Sequence, residues 1–322
     1  MTLFIQGLLF VLGLIGLFFG GDLLVKGSSR LARSMGISPL IIGLTVVAFG
    51  TSSPEFLVSV VAAYKGSSDL VLGNIIGSNI SNIGLILGIS SLIYPLRVAT
   101  KLTKLELPIM LFFSLLVYIL CFNLVIGRIE GLLLFSILIL FLIYGYREAK
   151  KEKVVLEKEL VEFRKAEYDY KDNNLYKNIL YIVIGLLILL IGASLVVNSA
   201  ILFARNFGVS ELIIGLTIVA VGTSLPELAT SVVASLKKEH DIVIGNIVGS
   251  NIFNIGILGI VSVLKPVHVE RQTLFIEFPI MILFTVAILP IIKTNFMIKR
   301  LEGAILLVSY FIFIALMLFI KS

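Results

Sequence analysis

The sequence predicts an all-α polytopic membrane protein, with ten transmembrane helices arranged as two inverted five-helix repeats. Three observations predict it: apolar composition, long apolar runs along nearly the whole chain, and an internal repeat. Hydrophobic residues fill 58% of the 322 positions and mean hydropathy is +1.10, against roughly 45–50% apolar usage in soluble domains. Several runs approach or exceed the roughly 20 residues needed to cross hydrocarbon. Lipid is therefore the solvent for most of the chain.

The spans are expected at about 3–20, 37–64, 70–95, 105–125, 129–146, 178–204, 209–236, 241–264, 272–292 and 301–320. The first run, Leu3 to Gly20, has no basic stretch before it and is followed by further spans, so it reads as a true first helix and not a cleaved signal. Residues 1–146 form the first five-helix repeat and 178–322 the second. Between them, 147–177 is a charged linker rich in Lys and Glu, helical in part through Glu/Lys pairs, and without the alternating Asp/Asn and Gly of a calcium-binding loop.

The formal charge is +6. Its distribution carries more information than its size: with spans alternating, about 20 of the 26 Lys and Arg residues fall on the linker's side. They include Lys26, Arg30, Arg33, Arg97, Lys101, Lys104, Lys237, Lys238, Lys293, Lys299 and Arg300, so the bias does not rest on the linker alone. By the positive-inside rule the linker is cytoplasmic and both termini are extracellular. This topology explains the basic charge without a nucleic-acid partner. The one cysteine, Cys121, lies in an apolar run and excludes an intrachain disulfide.

Shifting the sequence by 172 residues aligns GLTVVAFGTSSPEFLVSVVA, from Gly43, with GLTIVAVGTSLPELATSVVA, from Gly215. The same shift aligns GNIIGSNISNIG, from Gly73, with GNIVGSNIFNIG, from Gly245. From Ser38 to Gly84, about 31 of 47 positions are identical without a gap. Each copy sits in a half with five spans. An odd number makes the second half enter the bilayer from the opposite side, which brings equivalent segments together near the midplane.

Within the second span, Thr51, Ser52, Pro54 and Glu55 lie inside an apolar run, and Thr223, Ser224, Pro226 and Glu227 repeat them in the seventh. A carboxylate at that depth costs several kcal/mol unless it is compensated, and no basic residue lies inside these spans. Pro54 and Pro226 are expected to kink their helices and release carbonyls near Ala48, Gly50, Ala220 and Gly222. Irregular backbone is tolerated where it lines a cavity, and hard cations prefer carboxylate, carbonyl and hydroxyl oxygens together. Thr51 and Glu55, four apart, are expected on one helix face. In the third and eighth spans, Asn74, Ser78 and Asn82, with Asn246, Ser250 and Asn254, form polar stripes at helical spacing. The interleaved Gly73, Gly77, Gly245 and Gly249 make GxxxG patterns that pack helices closely, a structural reading compatible with a stripe facing a cavity.

Other polar residues have simpler readings. Asp69 and Asp241 are expected as helix N-caps, Glu106 and Glu277 at helix starts, and His240 and His268 at the interface. Asp22, whose repeat partner is Ser194, has no assigned role.

At these motifs the chain resembles the Ca2+/cation antiporter superfamily, particularly its sodium/calcium exchanger branch. GTSSPE and GTSLPE, each followed by a GNIxGSN segment, resemble that family's two α-repeats. The resemblance implies a small prokaryotic antiporter, with Na+ and Ca2+ as substrates and no cofactor. It implies Glu55 and Glu227 as central ligands shared by both ions. Hydroxyl oxygens would come from Thr51, Ser52, Thr223, Ser224, Ser78 and Ser250, and backbone carbonyls from Ala48 and Ala220, while Asn82 and Asn254 close the centre. Potassium-dependent relatives carry Asp where this chain has Asn254, which argues against K+ transport.

Proton-coupled Ca2+ exchange is the nearest alternative, because close glutamates exchange protons with metal. A cation channel is a further one. Nothing resembles a nucleophile–base or metal-catalytic constellation, so an enzyme is not expected. Beyond the lipid bilayer, no obligatory protein partner is evident.

Overall fold

The computed structural model describes residues 3–163, 174–207, 220–293 and 296–321, and it is mostly helical. Among the described residues eight helices are long and apolar enough to cross a membrane: Leu3–Met35, Ser68–Ile93, Leu102–Asn123, Arg128–Lys151, Leu175–Asn206, His240–Leu264, Thr273–Pro290 and Arg300–Ile320. A further span is a bent pair, Pro39–Thr51 and Ser53–Lys65, turning by 43° at the break. The expected seventh span is described only from Ala220, as a short turn and the apolar helix Leu225–Leu236; its first half, 209–219, lies outside the described residues.

Two expected boundaries move. The first helix runs on through Asp22, Lys26, Arg30 and Arg33 to Met35 instead of ending at residue 20. The fifth continues from Arg128 to Phe163, so its helix extends into the linker; the linker residues 164–173 lie outside the described residues. Both extensions are rich in long side chains with little helix cost, so nothing local stops the helix at the membrane surface.

The first helix packs along Leu175–Asn206 through small residues. A Cβ on Gly13 would stand 2.8 Å from the Gly192 carbonyl oxygen, and one on Gly20 2.8 Å from that of Gly185. Such close approach is how helices associate in lipid, where burial itself supplies little drive. On its other face Gly21 meets Ala229 of the seventh span. This pair flanks a central block made by Ser68–Ile93 and His240–Leu264, whose apolar side chains, Ile75, Ile76, Ile80, Ile83, Ile247, Ile252 and Ile255 among them, are almost wholly buried.

Two antiparallel two-residue ladders tie the halves together. β1 (Leu96–Arg97) pairs with β4 (Met297–Ile298), and β2 (Val125–Ile126) with β3 (Val267–His268). Each ladder joins a segment of one half to a segment of the other.

Candidate cation site

Both motif-bearing spans break one residue before the Ser-Pro or Leu-Pro step. Ser52 and Ser224 leave the helical region with ψ near zero, at φ −81, ψ 7 and φ −85, ψ 6. Proline explains the position: Pro54 has no N–H for the Gly50 carbonyl, and the Ser53 hydroxyl donates to it instead at 2.6 Å. The Gly50 carbonyl also accepts a backbone N–H at the end of its short helix, so the expected release is compensated locally. Ala48's carbonyl keeps its ladder donor, the Ser52 N–H at 3.0 Å, and also lies 3.4 Å from the Thr51 hydroxyl. Because the chain bends between them, Thr51 and Glu55 do not share a continuous helix face as expected; Thr51 ends one helix and Glu55 lies in the first turn of the next.

Glu55 and Glu227 are each 1% exposed, and each is held by the other half of the chain. The Ser52 hydroxyl donates to Glu227 Oε1 at 3.1 Å, and the Ser224 hydroxyl to Glu55 Oε1 at 3.3 Å. Ser78 adds a second donor to Glu55 Oε1 at 3.4 Å and lies 3.3 Å from Ser224. Among the described residues no ion pair involves either glutamate, and Glu55 Oε2 and Glu227 Oε2 have no hydrogen-bond partner. Two buried carboxylates, each with an unused oxygen, offer the kind of oxygen donor that hard cations take.

A second layer is equally reciprocal. The Thr51 hydroxyl lies 3.0 Å from Asn246 Oδ1 and the Thr223 hydroxyl 3.4 Å from Asn74 Oδ1, and Thr51 also hydrogen-bonds the carboxyl of Glu227 in the other half. Asn74 and Asn246 in turn donate to Ser59 at 2.9 Å and Ser231 at 3.1 Å. Ser250, Asn82 and Asn254 are buried, and Ser250 Oγ, Asn82 Oδ1 and Asn254 Oδ1 have no partner among the described residues. Ala220 opens the described part of its span. The expected carbonyl release at Gly222 has no counterpart to the Ser53 contact, since Leu225 stands in place of Ser53.

Sequence reasoning missed Ser59, Ser231, Asn79 and Asn251. The available signal was that each polar side chain is identical in both copies at the shift of 172. Asp69 is a first-turn residue behind Ser67, and Asp241 one behind Glu239, so neither is the N-cap that was expected. Glu106 starts its helix as expected, whereas Glu277 closes the π segment Thr273–Glu277 inside its span, and both are buried, at 3% and 6% exposure. Asp22 gains a partner: Lys237 Nζ lies 2.6 Å from its Oδ1. Among the described residues no cluster of three or more His, Cys, Asp or Glu is found.

The chain is similar to known proteins over nearly its whole length. A family profile described as sodium/calcium exchanger protein matches residues 5–147 and again 177–319. The chain is 38% identical over 310 residues to the putative antiporter CaxA of Alkalimonas amylolytica, covering 94% of this chain and 95% of that one. It is 34% identical over 344 residues to the sodium/calcium exchanger MaX1 of Methanosarcina acetivorans, covering 97% and 98%. The solved structure of the sodium-calcium exchanger NCX_Mj, soaked with Na+ and Sr2+, superposes with a TM-score of 0.84 at 32% identity, covering 98% of this chain and 99% of that one. This chain is a multi-pass membrane protein and belongs to the sodium/calcium exchanger family, whose members are ion exchangers and not enzymes.

Proposed function

We propose that the chain exchanges Na+ for Ca2+ across the cell membrane by alternating access, without K+, at a site made by Glu55, Glu227, Thr51, Thr223, Ser52, Ser224, Ser78, Ser250, Asn82, Asn254 and the carbonyls of Ala48 and Ala220. One observation carries the reading: Ser52 and Ser224, each two residues before its motif proline, bond the glutamate of the other half, so neither half has a complete site alone. Two ionised glutamates give a charge of −2. One Ca2+ neutralises it, and several Na+ occupy the same oxygens. Mutually exclusive occupancy couples the two fluxes, while the empty site, with its charge exposed to hydrocarbon during a transition, does not cross. Asn254 adds no further charge, which favours K+-independent exchange.

The transport cycle requires ten spans in two inverted halves, 1–146 and 178–322, with the linker 147–177 cytoplasmic and both termini extracellular. The ladders support the inversion. β1 follows three spans and β4 nine, β2 follows four and β3 eight; in a ten-span chain, partners share a side of the membrane only when the halves are inverted. The side bearing β1 and β4 also carries Arg97, Lys299 and Arg300, in keeping with the positive-inside rule. The first and sixth helices, locked through their glycines, are suited to move as one piece across the central block.

The test is 45Ca2+ uptake into Na+-loaded proteoliposomes, with Na+-free and pH-gradient arms. Uptake that needs internal Na+ and falls by about two orders of magnitude or more in Glu55→Gln and Glu227→Gln supports exchange; loss of one such charge removes several kcal/mol of ion binding. Uptake driven only by the pH gradient would replace Na+ by H+ as the coupled ion, and unitary currents would establish a channel. Ca2+ leak without a counter-ion would sink the coupling mechanism.

A further inference from the structure

Four asparagines meet where the two central helices cross, and only two of them, Asn82 and Asn254, belong to the candidate ligand set. The other two, Asn79 and Asn251, are each 1% exposed. Their bonds form two arms. In the first, Asn79 Nδ2 donates to the backbone carbonyl of Asn251 at 3.4 Å and to Met281 Sδ at 3.7 Å, while its Oδ1 accepts from Asn254 Nδ2 at 3.0 Å. In the second, Asn251 Nδ2 donates to Met110 Sδ at 3.5 Å, and its Oδ1 accepts from Asn82 Nδ2 at 3.4 Å.

The direction of each arm is forced by chemistry. An amide has a donor end and an acceptor end, whereas a backbone carbonyl or a thioether only accepts. Asn79 must therefore turn its NH2 toward the Asn251 carbonyl, which leaves its oxygen facing Asn254. Asn254 must answer with its own NH2, and its oxygen is turned the other way. The same logic runs from Met110 through Asn251 to Asn82. At the end of both arms sits a buried carbonyl oxygen without a hydrogen-bond partner among the described residues, Asn254 Oδ1 and Asn82 Oδ1. Asn82 lies one helical turn from Ser78, which bonds Glu55, so its oxygen belongs to the face that carries the site.

We propose that Asn79 and Asn251 are positioning residues that orient the amides of Asn254 and Asn82, so that both present oxygen and not NH2 to the transported cation. A reversed amide would aim hydrogens with partial positive charge at the ion. The proposal rests on the ion-site reading above and adds what sets the polarity of its neutral ligands.

The test uses a substitution that makes orientation irrelevant. A carboxylate at position 254 has an oxygen on either side, so Asn254→Asp needs no partner to aim it. Ca2+ KM is measured in Na+-loaded proteoliposomes for the wild type, Asn79→Leu, Asn254→Asp and the double variant, each checked for a monodisperse elution profile. Asn79→Leu is expected to raise KM about tenfold or more, as befits a buried amide left without its acceptor, but to change KM by less than about threefold in the Asn254→Asp background. A merely structural role would cost the same in both. An equal rise in both backgrounds, or none in either, overturns the proposal. Should Asn79→Leu fail to fold, Asn251→Leu with and without Asn82→Asp makes the same test on the second arm. Absence of Na+-dependent uptake in the wild type would instead remove the exchanger reading, and the positioning role with it.

Discussion

The helices Ser68–Ile93 and His240–Leu264 share the run G-N-I-x-G-S-N-I-x-N-I-G, yet they occupy different surroundings. In the second copy Gly245, Asn246 and Gly249 are wholly buried, and a Cβ on Gly249 would stand 2.6 Å from the Leu44 carbonyl oxygen. In the first copy a Cβ on Gly73 or Gly77 would meet nothing within 4 Å among the described residues, which leave out 208–219, the repeat counterpart of the stretch around Leu44. Even the backbone differs: a π segment spans Asn82–Leu87, whereas the equivalent residues continue as α-helix. The first copy's helix begins at Ser68, beside β3. Under the proposed topology that is the extracellular side.

The largest expected effect tests access. Leu70 and Ile242 are repeat equivalents, at 50% and 0% exposure. With Cys121→Ala as background, Leu70→Cys is expected to react with an impermeant maleimide at least about tenfold faster than Ile242→Cys, because a buried thiol reacts only through local opening. Equal rates would break the comparison. Next comes packing: Gly249→Ala, which places a methyl against the Leu44 carbonyl and Ala48, is expected to cost about 1–3 kcal/mol. Gly77→Ala, whose Cβ would meet nothing within 4 Å among the described residues, should cost less than Gly249→Ala. Midpoints of thermal unfolding in detergent separate the two, and similar shifts would mean the glycines are equivalent. The smallest effect concerns an asymmetry at the surface. Lys237 pairs with Asp22, while Lys65 and Ser194, their repeat equivalents, offer no such pair. With both groups about a third exposed, Lys237→Gln should cost no more than about 1 kcal/mol, and the loss should vanish in an Asp22→Asn background. A cost unchanged in that background would show that Lys237 acts through something other than this pair.

Much of the site was legible because its chemistry conflicts with its solvent. Glu55 and Glu227 stand out in apolar runs with no basic residue beside them, and the repeat doubles every signal around them. Asn79 and Asn251 were passed over because they fall outside the four-residue spacing of the stripe, although both copies carry them. Glu106 and Glu277 read as ordinary helix starts; that they are buried follows from the elements packed over them.

Composition and periodicity were enough to put this chain in a membrane, and the repeat to divide it into two like halves, because hydrocarbon forces each span to show itself as a long apolar run. The cross-bonding of Ser52 with Glu227 and of Ser224 with Glu55, and the direction of the asparagine arms, emerged only from the fold. Each depends on side chains more than 160 residues apart being brought to hydrogen-bond distance, as the separations of 175, 169 and 175 residues for Ser52–Glu227, Ser224–Glu55 and Asn254–Asn79 make plain. No local pattern encodes such a distance; it is set by how two halves pack about a shared centre.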